Sequence, residues 1–201
     1  MDTNRRTMLR LLAAAPAAAG FAWTEAEAQQ AHTHAQAAQT AATRSGVAFK
    51  PKFFTAHEWA TVRMLVDIII PRDERSGSAT EAGVPEFMDF MMNDQPGRQT
   101  AMRGGLAWLD RECVSRYDKM FVDCTSADRT KVLDEIAWPQ KAMAGLSHGV
   151  AFFNAFRDFT AGGFFSSKMG VADVQYIGNT ALAEWRGCPK AATDKLGVSY
   201  S

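Results

Sequence analysis

Apolar side chains between residues 55 and 160 recur at the three- and four-residue spacing of an amphipathic helix. The clearest group would share one helix face and consists of Trp59, Val62, Leu65, Val66 and Ile69. Thr55 and Glu58 stand just before this group with the spacing of a capping box, in which each side chain satisfies a backbone amide. Pro71 follows the last apolar position and cannot continue the helix. The pattern therefore predicts a capped helix between Thr55 and Pro71.

The same spacing predicts further helices downstream. A short one carries Val84, Phe87, Met88 and Met91, a long one runs from Met102 to Met120, another spans residues 126–138, and a phenylalanine-rich one begins at Gly149. Gly104 and Gly105 lower the helix propensity of the long one, which indicates close packing or a bend. After Gly162 and Gly163 the periodicity is lost, and no segment alternates like a strand. We therefore expect an all-α domain of about five helices with a long irregular C-terminal segment.

The first part of the chain has the pattern of an export signal. Arg5 and Arg6 precede an apolar run over residues 11–23, which is shorter than the about 20 residues that a membrane-spanning helix needs. Residues 26–28, Ala-Glu-Ala, form an A-x-A cleavage signal, so that residues 1–28 are predicted to be removed. The order Arg-Arg-Thr-Met-Leu-Arg favours the twin-arginine translocase over the alternative of an ordinary secretory signal. The compartment that we expect is the bacterial periplasm.

Residues 29–48 are rich in alanine, glutamine and threonine and offer little that a core could bury. This composition predicts a disordered linker, followed by a helical domain over residues 49–190 and a tail over residues 191–201. His32 and His34 lie in the linker as His-x-His. A metal site would need further ligands on a fixed backbone, which the sequence does not provide, so we predict no metal there.

The charge balance argues against several classes of partner. The chain has 22 acidic and 22 basic residues, which gives no electrostatic attraction to nucleic acid or to an anionic membrane. Its 13 phenylalanines, 10 methionines and 5 tryptophans can build a core, and residues of these types are also enriched at interfaces between proteins. A protein partner is therefore more compatible with the composition than a nucleic acid is.

The sequence contains none of the common motifs that hold a cofactor or a nucleophile. It lacks G-x-G-x-x-G, P-loop, C-x-x-C-H and G-x-S-x-G patterns, and its 3 cysteines are too few for an ordinary iron–sulfur cluster. His57 and His148 are weak candidates, since a general base needs a partner group within reach. We therefore predict no catalytic, cofactor-binding or metal-binding residue. The alternatives are an independent enzyme with a site around His148 and a periplasmic ligand-binding protein.

The cysteines are informative because the expected compartment permits disulfides. Cys113 and Cys124 can close an intrachain bond if their Cα atoms come within about 7 Å of each other. Cys188 is then left over in the irregular C-terminal segment. A leftover cysteine in an exported protein indicates an interchain disulfide, with a buried reduced thiol as the alternative.

Three groups of residues, taken in chain order, carry a resemblance to a known family. The first is the capped helix running into residues 67–73, Asp-Ile-Ile-Ile-Pro-Arg-Asp, and the second is residues 82–89. The third comprises residues 160–167, Thr-Ala-Gly-Gly-Phe-Phe-Ser-Ser, followed by residues 176–179 and 185–189. Together these groups resemble the gluconate 2-dehydrogenase subunit 3 family. Residues 168–173 depart from the family pattern, in which a glycine-rich run is expected.

The resemblance implies a complex in which the chemistry lies in another chain. The large subunit is a flavoprotein of the glucose–methanol–choline (GMC) class that binds FAD and oxidises a sugar, a polyol or a sugar acid, and a cytochrome c subunit with haem c often takes the electrons. The small subunit supports folding, assembly and export of the flavoprotein. The expected partner contacts are Trp185, Cys188 and Pro189, the pair Phe164 and Phe165, and the pair Arg72 and Asp73. For the last pair, a polar loop that closes a helix is the alternative.

Overall fold

Helices account for all regular secondary structure in the computed structural model, which describes residues 24–176 and 187–199. Their bounds are α1 Glu25–Ser45, α2 Ala56–Ile69, α3 Val84–Asp94, α4 Gln99–Tyr117, α5 Ser126–Ala137, α6 Ser147–Phe165, α7 Lys168–Asp173 and α8 Lys190–Leu196. Short 3₁₀ turns over Pro96–Arg98, Phe121–Asp123 and Ala144–Leu146 precede α4, α5 and α6. The predicted all-α class is confirmed, and α2 to α6 are the helices expected from the periodicity.

Helix α2 begins and ends where the sequence predicts. Thr55 Oγ1 accepts a hydrogen bond from the Glu58 amide at 3.2 Å, and the Glu58 carboxylate accepts one from the Thr55 amide at 2.8 Å. These two bonds satisfy backbone donors of the first turn that have no partner within the helix. Ile70 leaves the helical conformation just before Pro71. Local sequence therefore determines both ends of α2.

Helices α4 and α6 pack closely because each carries a glycine opposite an aromatic ring of the other. Phe152 of α6 lies over Gly105 of α4, and Trp108 of α4 lies over Gly149 of α6. Both rings are only 8% exposed. The close packing expected at the glycine pair of the long helix is thus confirmed for Gly105.

Phenylalanine and methionine side chains fill the centre of the domain. Those with less than 2% exposure are Phe87, Phe121, Phe156, Phe159, Phe164, Met88, Met91, Met92 and Met102. They come from α3, α4, α6 and the turn before α5, so the core lies between these elements. Many of the chain's phenylalanines and methionines therefore lie in its core.

The prediction of a disordered linker over residues 29–48 is wrong, because α1 extends to Ser45 and packs against α3. Its inner face carries Ala28, Ala31 and Ala35, each at most 5% exposed. Alanine has the highest helix propensity, and its small side chain lets two helices approach closely. A segment without large apolar residues can therefore still dock. Ala28, the last residue of the predicted cleavage signal, lies within this helix.

Two histidines supply the larger contacts of α1. The His32 ring stacks on Phe87 with ring centroids 4.7 Å apart. Its Nε2 lies 2.7 Å from the Oγ of Ser166, the residue that follows α6. Burial lowers the pKa of His32, so the neutral imidazole is the form that docks at neutral pH. The His34 ring stacks on Phe90 at 4.4 Å. Both members of the His-x-His pair thus pack on aromatic rings of α3.

Glu86 of α3 makes the stability of the fold sensitive to pH. Its side chain is 6% exposed, and one carboxyl oxygen has no hydrogen-bond partner among the described residues. Burial raises the pKa of Glu86 above the ordinary glutamate value, and the smaller lowering effects of its own backbone amide and of Arg63 do not cancel this. Because the folded-state pKa is raised, the protonated form stabilises the fold. This contribution is lost as the pH rises through the folded-state pKa.

We therefore expect Glu86→Gln, which stays neutral, to lose less stability than the wild type between about pH 4 and about pH 8. Urea unfolding across this range measures the free energy of unfolding of both proteins. Glu74→Gln is the control, because the Glu74 side chain is exposed and its replacement should leave the wild-type profile unchanged. If the free energy of unfolding changed with pH in the same way for the wild type and Glu86→Gln, this account of the buried carboxyl would be contradicted.

Candidate partner-binding surface

The charged loop that follows α2 is fixed by its own side chains. The Asp73 carboxylate accepts hydrogen bonds from the amides of Arg75 and Ser76, each at 2.8 Å. The amide of Ser76, followed by that of Arg75, lowers the pKa of Asp73. Arg72 forms an ion pair with Glu81 while keeping its side chain 66% exposed. Asp73 therefore shapes the loop, and Arg72 remains open to a partner.

The loop is attached to α7, which lies far away in the sequence. The Arg75 guanidinium donates a hydrogen bond to the Asp173 carbonyl oxygen, and its Nη2 is 3.5 Å from Asp173 Oδ1. Gly77 lies so close to Met169 that a Cβ at Gly77 would be 3.0 Å from the methionine sulfur. The structure thus holds the loop after α2 against α7, the helix that follows the end of α6 in the chain.

The two neighbouring phenylalanines at the end of α6 have opposite environments. Phe164 is 1% exposed, whereas Phe165 is 46% exposed, and their rings meet edge to face with centroids 5.2 Å apart. Successive residues of a helix point about 100° apart, so a partly covered helix end commonly buries one of them. Phe164 belongs to the core, and Phe165 remains the candidate contact.

Helix α7 occupies the position where the sequence departs from the family pattern. Ser167 Oγ accepts a hydrogen bond from the Gly170 amide at 3.1 Å and donates one to the Phe164 carbonyl oxygen at 2.7 Å. A Cβ at Gly170 would lie 2.1 Å from that same carbonyl oxygen, so the turn from α6 into α7 is tight. The residues at which a glycine-rich run was expected therefore form a capped helix.

Large apolar side chains remain exposed around this turn. Phe165, Val174 and Tyr176 are 46%, 53% and 57% exposed. We call these three residues, together with the loop over residues 71–78, the α6–α7 surface. It combines exposed aromatic and aliphatic side chains with the charged side chains of the loop.

The remaining predicted contacts lie at the C-terminal end. Cys188 is exposed, and Pro189 directly precedes α8, none of whose residues is buried. Trp185 lies outside the described residues, as do Arg5 and Arg6 of the signal. The interchain disulfide at Cys188 stays a prediction.

The predicted intrachain disulfide partners meet in the core as thiols. Cys113 of α4 is 0% exposed and Cys124 is 5% exposed, and both are free cysteines. Cys124 is close enough to Cys113 to influence its titration. Burial, reinforced by Cys124, raises the pKa of Cys113 to about 12. The proximity expected from the sequence is present, and the covalent bond is not.

His57 and His148 are both placed at the beginnings of helices. His57 Nε2 lies 2.6 Å from Asp110 Oδ2, and Asp110 Oδ1 accepts a hydrogen bond from the Phe121 amide at 3.0 Å. His57 thereby connects α2 to α4 and to the turn before α5. His148 is exposed in the first turn of α6. In the described ranges, no group of three histidine, cysteine or carboxylate side chains is placed to hold a metal ion.

Comparison with known protein families identifies the domain. A family model described as gluconate 2-dehydrogenase subunit 3 matches residues 56–183. The chain belongs to the gluconate 2-dehydrogenase subunit 3 family. The match runs from α2 through α7 and includes the α6–α7 surface, whereas α1 and α8 lie outside it. Searches of curated proteins and of solved structures gave no match.

The family assignment confirms the resemblance that the sequence motifs indicated, and its description is that of one subunit of a dehydrogenase complex. Within residues 24–176 and 187–199, none of the helices has the length and apolarity that crossing a membrane requires. The described part of the chain thus presents a helical domain with an exposed apolar and charged surface.

Proposed function

We propose that this chain is the non-catalytic small subunit of a periplasmic FAD-dependent dehydrogenase that oxidises a sugar, a polyol or a sugar acid. It binds a flavoprotein catalytic subunit of the GMC class, supports its folding and assembly, and is exported with it by the twin-arginine translocase. The observation that carries the proposal is the family match over residues 56–183. FAD belongs to the catalytic subunit, and haem c belongs to a cytochrome subunit where one is present.

The α6–α7 surface supports a role in binding a protein. Aromatic residues and arginine are enriched in the centre of protein interfaces, and a few such side chains commonly supply most of the binding energy. Phe165 and Tyr176 are aromatic and exposed, and Arg72 is a largely exposed arginine of the loop that Arg75 connects to α7. The hydrogen bonds of Asp73 hold the loop in one conformation, which lowers the entropy that is lost on binding.

Binding of this kind also explains support for folding. A partner that binds the folded flavoprotein and not its unfolded chain stabilises the folded form by mass action. No chemistry in the small subunit is required for this effect. The substrate is then determined by the catalytic subunit, since specificity depends on the residues of the active site.

The binding surface is tested with a double variant, Phe165→Ser with Tyr176→Ser. We expect the dissociation constant of the complex with the flavoprotein to rise about 30-fold or more, the size of effect typical of central aromatic residues. The thermal stability of the isolated chain should change little, because both side chains are largely exposed. Surface plasmon resonance and thermal unfolding measure the two quantities.

Trp138→Ser is the matched control, because Trp138 is an aromatic residue that is 60% exposed and lies outside the α6–α7 surface. The control should bind the flavoprotein as the wild type does. An unchanged affinity of the double variant, or an equal loss in the control, would show that the partner uses another face of the domain.

A further inference from the structure

Cys113 and Cys124 form an enclosed pair of thiols. Cys113 lies in α4, and Cys124 directly follows the 3₁₀ turn Phe121–Asp123 that leads to α5. Their exposures are 0% and 5%, and the two side chains are close neighbours in the core. Cys124 Sγ also lies 3.8 Å from the Lys119 carbonyl oxygen, to which it donates. The native fold therefore leaves almost none of either cysteine in contact with solvent.

Closing a disulfide from this state would require access to an oxidant. Formation of the Sγ–Sγ bond breaks two S–H bonds and passes two electrons and two protons to the oxidant, for example a protein disulfide that is reduced to a dithiol. The attacking species is a thiolate, which must reach a sulfur of the oxidant. Burial excludes the oxidant, and because burial raises the pKa of Cys113 to about 12, the thiolate is scarce at neutral pH. Oxidation therefore has to precede folding.

We infer that the compartment in which the chain folds sets the redox state of the Cys113–Cys124 pair, and that the exported subunit carries it as a dithiol. The cytoplasm is reducing, so a chain that folds there encloses two thiols, and the twin-arginine route then moves it folded. The same chain translocated unfolded would meet periplasmic oxidants before its core closes and would acquire the bond. This inference rests on the proposed export route and replaces the disulfide expected from the sequence.

The experiment compares two export routes for one chain. A Cys188→Ser variant, in which the pair supplies all thiols, is expressed with its flavoprotein, either with its own signal or with residues 1–23 replaced by a signal of the general secretory pathway. Periplasmic fractions are quenched in acid, denatured and alkylated with N-ethylmaleimide without reductant. Intact mass then shows whether both thiols or neither has reacted. We expect both to react after export on the native signal and neither to react, until a reductant is added, after the secretory route.

Two results would overturn the inference. One is a disulfide in the chain exported on its own signal, which would mean that the pair closes after folding. The other is a dithiol after both routes, which would mean that the folding compartment has no influence on the redox state of the pair. The flavoprotein is assayed in the same fractions. For the chain exported on its own signal, a periplasmic small subunit without its flavoprotein would contradict the proposed function and leave the thiol result interpretable.

Discussion

Replacing Gly105 by alanine is expected to destabilise the protein by about 3 kcal/mol, at the upper end of the usual range for overpacking a core. An added Cβ would lie 1.8 Å from the Phe152 ring, which is far inside van der Waals contact. The ring is 8% exposed and packs between α4 and α6, so it cannot move aside without displacing its neighbours. The reciprocal contact of Trp108 with Gly149 restrains the same pair of helices and prevents them from separating.

Gly104→Ala is the matched control, one residue earlier in the same helix. No atom lies within 4 Å of a Cβ at Gly104, so the change should stabilise α4 by about 0.5–1 kcal/mol through helix propensity. Urea unfolding measures both variants, with the m-value as a check that the denatured state is unchanged. Equal effects at the two glycines would show that the α4–α6 contact does not depend on this close approach.

Periodicity and caps were sufficient to predict α2 to α6. Each of these helices carries large apolar residues at helical spacing, and the Thr55 and Glu58 side chains mark the start of α2 in the sequence itself. The sequence also singled out Gly104 and Gly105 as a site of close packing or of a bend. It could not distinguish the two, because only the position of α6 decides which glycine faces Phe152.

Helix α1 could not be predicted by the same reasoning. Its buried face consists mainly of alanine, whose burial gives little hydrophobic free energy and leaves a weak periodic signal. What holds it is tertiary contact, including the hydrogen bond between His32 and Ser166, residues that are 134 positions apart. A similar long-range effect fixes residues 52–54, whose amides donate to the buried Asp89 carboxylate.

For the candidate surface, the sequence supplied segments and not the contacts between them. The resemblance identified the loop after α2 and the end of α6, but the contact between Arg75 and Asp173, 98 residues apart, becomes visible only in the fold. The sequence also named Phe164 and Phe165 together. Which ring is buried depends on α3, where Phe87 and Val84 lie against the neighbouring Gly163.

Replacing both Arg5 and Arg6 by lysine is expected to keep the flavoprotein catalytic subunit in the cytoplasm. Lysine preserves the charge but not the planar guanidinium group, so the change affects recognition by the translocase rather than electrostatics. The proposed function implies that FAD is inserted during folding in the cytoplasm and that the loaded flavoprotein crosses the membrane folded. Under the proposed function it does so bound to this chain and on its signal.

Arg10→Lys is the matched control, because it alters a third arginine of the same segment and leaves the twin arginines in place. Purifying the complex from the cytoplasm of cells that express the double variant shows whether the two subunits still assemble when export fails. The small subunit and the flavoprotein should still copurify there, with dehydrogenase activity, since the signal lies outside the domain that the family model matches.

The most direct measurement is the fraction of flavin-dependent dehydrogenase activity that is released with the periplasm. We predict that nearly all of it is periplasmic in the wild type and in Arg10→Lys, and that it remains cytoplasmic when Arg5 and Arg6 are both lysine. A flavoprotein that still reaches the periplasm in cells that express the double variant would contradict the claim that this chain carries its partner across the membrane.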